Sequence, residues 1–141
     1  MATTRTAAAH WEGSLMEGAG RVSLESSGLG TYDVTWASRA EDPSGRTSPE
    51  ELIAAAHSAC FSMALSHALA QAGNAPEDLD TRADVTFQPG EGITGIHLTV
   101  QGTVPGLSEE QFVEAAEGAK ANCPVSKALT GTTITLAASL A

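Results

Sequence analysis

The chain is 141 residues long with a mass of 14.4 kDa, a size typical of one compact domain. Seventeen acidic side chains against seven basic ones give a formal net charge of −10. A surface with this charge repels nucleic-acid phosphates and anionic lipids. We therefore predict a single domain over residues 1–141 that binds neither nucleic acid nor membranes.

The first forty residues alternate apolar and polar side chains in three short stretches separated by glycine-rich turns. The stretches cover residues 10–15, 21–25 and 32–36. A period of two is typical of strands that bury one face. The pattern predicts an antiparallel meander with one apolar face, and it places Arg39 at the end of the third strand.

A long helix is predicted after the polar loop at residues 40–48. Ser48 is the expected N-cap, Pro49 suits the first helical position, and Glu51 completes a capping box. The helix is expected to run to about Ala72 and to end at Gly73.

This helix carries no formal charge from Leu52 to Ala72, a length that could cross a bilayer. Its apolar content is mainly alanine, and it includes His57 and His67, so a buried helix is the better interpretation. It is apolar around almost its whole circumference and must be covered on every side. One chain of this size cannot cover it, so we expect an obligate homodimer with the helix near the interface.

The second half of the chain predicts three more strands and two helices. Ser108 opens a helix with a second capping box, and Pro124 begins a short helix after Cys123. The strands are recognised by their alternating apolar side chains. They are expected at residues 82–87, 96–101 and 134–138.

Two cysteines in 141 residues do not make a disulfide scaffold. The chain has no CxxC pair and no Cys/His cluster, so no metal site is predicted. The N-terminal residues lack the apolar run of a signal peptide, and we expect a reducing cytoplasm with both cysteines as thiols.

Each cysteine has two possible interpretations. Cys60 lies midway along the long helix, where it is either a small core residue or a nucleophile. Cys123 is the expected N-cap of the short helix, either as a neutral cap or as a thiol whose pKa the helix lowers, with Lys120 and Lys127 acting in the same direction. A disulfide between the two cysteines cannot be established from the sequence.

Four further side chains are candidates for chemistry. His57 shares a helix face with Cys60 and is either its base or a hydrogen-bonded interior histidine. Glu50 favours the helix N-terminus and lies about 15 Å along the helix from Cys60, so it can act on that thiol only through another group. Arg39 and Arg46 are the candidates for that group.

Three segments together resemble a known family. The chain resembles the OsmC/Ohr family of thiol-dependent peroxidases, most closely its OsmC (osmotically inducible protein C) branch, which is associated with osmotic and oxidative stress and with organic hydroperoxide resistance. The segments are Ala9-His10-Trp11-Glu12-Gly13, the helix sequence from Ser48 to Ser66 and Ala119-Lys120-Ala121-Asn122-Cys123-Pro124-Val125-Ser126.

The resemblance implies an α+β fold in which antiparallel sheets wrap around a long central helix in an intertwined homodimer. It implies that Cys60 is the peroxidatic cysteine and Cys123 the resolving cysteine. It also implies that Arg39 stabilises the Cys60 thiolate and that Glu50 holds the guanidinium, from either chain.

The implied activity is a two-cysteine peroxidase that reduces organic hydroperoxides and hydrogen peroxide. The cycle passes through a Cys60 sulfenic acid and a Cys60–Cys123 disulfide. A dithiol on a lipoyl-bearing protein is the implied reductant, and no metal, flavin or haem is required. Two alternatives remain open: a Cys60/His57 hydrolase and a non-catalytic stress-protective protein on the same fold.

Overall fold

The computed structural model describes residues 1–141 and has an α+β fold, as predicted. The chain divides into two compact units, residues 1–52 and 53–141. The elements are, in chain order, β1 (Ala8–Glu12), β2 (Ala19–Ser23), β3 (Thr31–Val34), α1 (Trp36–Ala40), α2 (Pro49–Gln71), β4 (Asp78–Gln88), β5 (Gly92–Thr103), α3 (Glu109–Asn122), α4 (Pro124–Ala128) and β6 (Thr133–Leu140).

The first unit contains the predicted antiparallel meander in the order β1-β2-β3. Trp11, Gly20 and Val34 lie opposite one another across the three strands, so they share one face. A Cβ atom on Gly20 would meet the Trp11 ring at 2.7 Å. Glycine is therefore required where the indole lies across the middle strand.

The ends of the first and third strands differ from the prediction. β1 ends at Glu12 because Gly13 takes a positive φ of 89°, and Leu15 falls in the following turn. β3 ends at Val34 because Thr35 caps α1.

The placement of Arg39 at a strand end was therefore wrong, since Arg39 lies in the last turn of α1. Thr35 and Ser38 form a reciprocal capping box at the start of this helix, with each side chain bonded to the other residue's backbone N–H. Two backbone donors are satisfied in this way, which stabilises the turn against continuation of the strand.

The predicted long helix is α2, which ends before Gly73 at φ 89°. Its expected capping box is only half formed. Ser48 accepts the backbone N–H of Glu51, but the Glu51 carboxylate accepts the Thr47 hydroxyl instead. By length and composition α2 could cross a membrane, but core helices of soluble proteins can be equally long and apolar. In the single chain, 22% of the most apolar stretch of α2 is buried.

The second unit contains a three-stranded sheet in the order β4-β5-β6. β4 and β5 form an antiparallel pair, whereas β5 and β6 are parallel. The expectation of purely antiparallel sheets was therefore wrong for this pair. α3 and α4 connect β5 to β6 and provide the long crossover that a parallel pair requires.

The core of the second unit is formed by side chains of α2, β5 and α3 and includes Cys123. Gly102 of β5 lies against the Phe112 ring, and a Cβ atom there would come within 3.0 Å of the ring, so a larger residue would force this packing to shift. Burial of this apolar surface holds the two cysteine-bearing segments together. The buried members are Phe61, Leu65, Leu69, Ile96, Leu98, Val100, Val104, Phe112, Ala116, Ala119 and Cys123.

Candidate active site

The two cysteines meet in the second unit. Cys60 lies midway along α2 and is half-buried, whereas Cys123 lies between α3 and α4 and has no exposed surface. Both are free thiols, and their Sγ atoms lie 2.9 Å apart within hydrogen-bond distance. The structure thus brings together two residues that are 63 positions apart in the chain.

The junction of two helices positions Cys123. Its backbone N–H donates to the carbonyl of Ala119 and closes α3, and Cys123 is also the N-cap of α4. Pro124 occupies the first position of α4 and cannot continue α3, so the chain turns at the cysteine. The predicted N-cap position of Cys123 is confirmed.

The two thiols have pKa values shifted in opposite directions. Burial opposes charge on Cys123, but hydrogen bonds from the Cys60 side chain, from the backbone and side chain of Ser126 and from the backbone of Val125 outweigh it and lower the Cys123 pKa. Burial and the bond to Cys123 raise the pKa of Cys60.

The lowered pKa of Cys123 follows the prediction: the backbone of the first turn of α4 contributes as expected, whereas the two lysines are not among the causes. Lys120 pairs with Glu117 at 3.1 Å. The influences on the Cys123 thiol instead come from Cys60 and the first turn of α4. Backbone N–H groups at a helix start favour a thiolate by hydrogen bonding even in a helix as short as α4.

His57 is fully buried, and its Nε2 atom lies 2.7 Å from Oγ of Ser126. The interpretation of His57 as a hydrogen-bonded interior histidine is confirmed. Burial lowers the pKa of the ring, which keeps it neutral at neutral pH. Nε2 of His57 is therefore engaged by Ser126, and no hydrogen bond joins the ring to Cys60.

Ser126 was not among the candidates from the sequence. It is buried, lies three residues after Cys123 and bonds both His57 and the Cys123 sulfur. Its spacing from Cys123 was the available signal, because residues three apart share a helix face. That signal does not identify His57 as the partner.

Arg39 and Glu50 form an ion pair in the first unit. Nε and Nη2 of Arg39 donate to the Glu50 carboxylate, with the shortest contact, from Nη2 to Oε2, at 2.9 Å. The Glu50 side chain is 7% exposed, so this buried charge is compensated by a guanidinium of its own chain. Arg46 is exposed. The arginine that Glu50 holds is thus Arg39.

A cavity of about 370 Å³ lies beside this arginine within the first unit. Its walls are mainly apolar and aromatic, with Arg39 contributing the charged group. A cavity of this kind suits a small ligand that has an organic part and one polar end. The lining residues are Trp11, Leu15, Val34, Thr35, Trp36, Arg39 and Pro49.

Comparison with known proteins gives consistent matches. A family model described as OsmC-like protein matches residues 41–137. The chain is 47% identical over 124 residues to the Escherichia coli (strain K12) protein named Peroxiredoxin OsmC, covering 86% of each chain. It is 30% identical to the Bacillus subtilis (strain 168) protein named Organic hydroperoxide resistance protein OhrB, covering 74% of this chain and 77% of that one.

A solved structure shows the same fold. It is described as an organic hydroperoxide resistance protein OsmC from Legionella pneumophila, and it superposes with a TM-score of 0.70 at 25% identity, covering 97% of both chains. The fold, the matched segment and the identity to the Escherichia coli protein agree. The chain belongs to the OsmC-like protein family.

Proposed function

We propose that this protein is a thiol-dependent peroxidase that reduces organic hydroperoxides, and also hydrogen peroxide, through a single OsmC-like domain over residues 1–141. The observation that carries the proposal is the pair of free thiols, Cys60 and Cys123, 2.9 Å apart. Relatives named a peroxiredoxin and an organic hydroperoxide resistance protein support it.

Exposure supports the proposed roles of the two cysteines. Cys60 is half-buried and accessible to a small peroxide, whereas Cys123 has no exposed surface. In the proposed first step, the Cys60 sulfur attacks the terminal peroxide oxygen and the O–O bond breaks. The leaving oxygen takes a proton and departs as an alcohol or water, and Cys60 becomes a sulfenic acid.

Cys123 completes the oxidation. Its sulfur attacks the sulfur of the Cys60 sulfenic acid, the S–O bond breaks, and the oxygen leaves as water. The product is a Cys60–Cys123 disulfide. A dithiol then reduces it by exchange through a mixed disulfide, and we propose a lipoyl-bearing protein as the donor, acting in the reducing cytoplasm. No cofactor takes part in this sequence.

Arg39 and Glu50 are proposed to assist the first step. The guanidinium of Arg39 would stabilise the Cys60 thiolate and the departing oxygen, because it is a fixed positive charge with several donors. The Glu50 carboxylate, which accepts from two guanidinium nitrogens, would fix its orientation.

The hydrolase alternative is not favoured by the site. A Cys60 hydrolase needs a hydrogen bond from the thiol to His57 as its base, but the ring bonds Ser126. The thiol of Cys60 bonds Cys123 instead. A purely structural role for the cysteines does not explain why two free thiols lie at hydrogen-bond distance.

A homodimer is proposed because apolar surface of both units is uncovered in the single chain. Met63 on α2 is 72% exposed, and Trp11 and Tyr32 on the meander are 40% and 41% exposed. Patches of this kind are typical of interaction sites. Light scattering after size exclusion should give twice the chain mass with or without reductant, and a stable monomer would contradict the proposal.

The proposed activity is tested by following peroxide consumption with and without a dithiol. Reduced protein alone should consume about one equivalent of cumene hydroperoxide and stop, because the disulfide must be reduced before the next cycle. Dihydrolipoamide should restore turnover. If peroxide persists while both thiols stay reduced, the proposal is wrong.

A further inference from the structure

Two side-chain pairs lie next to each other between α2 and the start of α4. His57 and Cys60 are three residues apart on α2, and Cys123 and Ser126 are three residues apart across the start of α4. One pair is Cys60–Cys123 at 2.9 Å, and the other is His57–Ser126 at 2.7 Å. The second pair has no part in the steps described above.

The hydrogen bonds of Ser126 determine where the protons lie. Its hydroxyl has one proton, and it bonds both the Cys123 sulfur and Nε2 of His57. The Ser126 side chain lowers the Cys123 pKa by hydrogen bonding, which requires that its hydroxyl proton points at the sulfur. The His57 Nε2 atom must then carry a hydrogen and donate it to Ser126.

The other nitrogen of His57 agrees with this arrangement. Nδ1 is buried and has no hydrogen-bond partner. With hydrogen on Nε2, the unpaired atom is an acceptor lone pair, whereas the opposite tautomer would bury an unpaired N–H donor, which is rarer in proteins. The opposite tautomer would also draw the hydroxyl proton of Ser126 away from Cys123.

We propose that His57 and Ser126 are positioning residues for disulfide formation: His57 orients the Ser126 hydroxyl so that it donates to the Cys123 sulfur and keeps that sulfur in place beside Cys60. This inference rests on the proposed peroxidase function. In the step it serves, an electron pair of the Cys123 sulfur forms the S–S bond. The sulfenic S–O bond breaks, and the oxygen takes a proton from solvent on the half-exposed Cys60 side and leaves as water.

Ionisable groups close to Cys123 in the fold or in the chain lie on three elements. α2 contributes Cys60, which bonds the sulfur directly, and His57, which acts through Ser126. Near the junction, Lys120 of α3 pairs with Glu117, and Lys127 lies in α4. A thiolate titration of Cys123 must therefore be compared with titrations of variants that change only the hydrogen bonds among His57, Ser126 and Cys123.

The test is a thiolate titration by absorbance at 240 nm in a Cys60→Ala background, which isolates Cys123 and needs no peroxide. Ser126→Ala is expected to raise the midpoint by about one pH unit, because the thiolate loses one charge-assisted hydrogen bond. His57→Leu should shift it in the same direction. Ser126→Thr keeps the hydroxyl, and His57→Gln keeps a side-chain N–H donor. Both variants should therefore titrate close to the midpoint of the Cys60→Ala background.

The matched control is Ser62→Ala, which removes a serine hydroxyl bond to Thr81 at 2.7 Å in the same unit. It should leave the midpoint unchanged. Circular dichroism establishes that each variant is folded, and if Ser126→Ala fails to fold, the comparison of His57→Leu with His57→Gln decides. Midpoints unchanged in folded Ser126→Ala or His57→Leu would overturn the inference.

A second readout separates this inference from the proposed function. In the protein with both cysteines, Ser126→Ala should extend the lifetime of the sulfenic acid about tenfold, measured by dimedone trapping after peroxide. Failure of the unsubstituted protein to oxidise Cys60 would contradict the peroxidase proposal alone. If Cys60 is oxidised normally in Ser126→Ala and its sulfenic acid lasts no longer than in the unsubstituted protein, only the positioning role is contradicted.

Discussion

Cys60→Ser is expected to lose peroxide consumption by on the order of 10³-fold or more, because the reaction loses its nucleophile and enzymes accelerate reactions by at least ~10⁶-fold. A serine hydroxyl is not ionised at neutral pH and does not form a sulfenic acid. The measurement is the loss of cumene hydroperoxide with dihydrolipoamide present. The half-buried position of Cys60 tolerates serine, so the variant should remain folded.

Cys123→Ser is the matched control for this loss. It should still react with one equivalent of peroxide but stop as a sulfenic acid at Cys60, since no second thiol lies at hydrogen-bond distance. Dimedone should add to that variant and not to Cys60→Ser. An active Cys60→Ser together with an inert Cys123→Ser would reverse the proposed roles.

Arg39→Ala is expected to slow oxidation of Cys60 by about 10²-fold, because a preorganised donor to developing negative charge typically contributes a factor of this size. The measurement is the pre-steady-state rate of sulfenic acid formation. Arg46→Ala is the control, since Arg46 is exposed and is not the arginine bound by Glu50. A larger loss in Arg46→Ala than in Arg39→Ala would overturn the assignment.

The Arg39 substitution also affects stability. Removing the guanidinium leaves the buried Glu50 carboxylate without its partner, at a cost of about 3 kcal/mol. Arg39→Lys keeps the charge but loses the two-nitrogen contact, and Arg39→Ala/Glu50→Gln removes the unpaired charge. If the rate follows stability across these variants, and not the presence of the guanidinium, the role of Arg39 is structural.

Local signals predicted α2, α3 and α4 but not α1. Pro49 at a helix start, Gly73 beyond a helix end and the Ser108 capping box act within a few residues, so the sequence displays them directly. The position of Arg39 was missed for the same kind of reason. The alternation of Tyr32, Val34 and Trp36 is typical of a strand that continues to Trp36. The strand ends at Val34 because Thr35 forms a capping box that starts α1.

Long-range pairings could not be read from the sequence. The parallel contact of β5 and β6 depends on how α3 and α4 return the chain, which no local pattern encodes. His57 and Ser126 are 69 residues apart, so their bond follows only from the packing of α2 against α4. The meeting of Cys60 and Cys123 was expected from the family resemblance alone.

The central claim, that the two thiols form a peroxide-driven redox pair, is tested most directly on the fully reduced, unsubstituted protein. Its thiol count and intact mass are measured after one equivalent of cumene hydroperoxide. The account predicts that both thiols disappear together and that the mass falls by about 2 Da, as an internal disulfide requires. Two surviving thiols and an unchanged mass would contradict it.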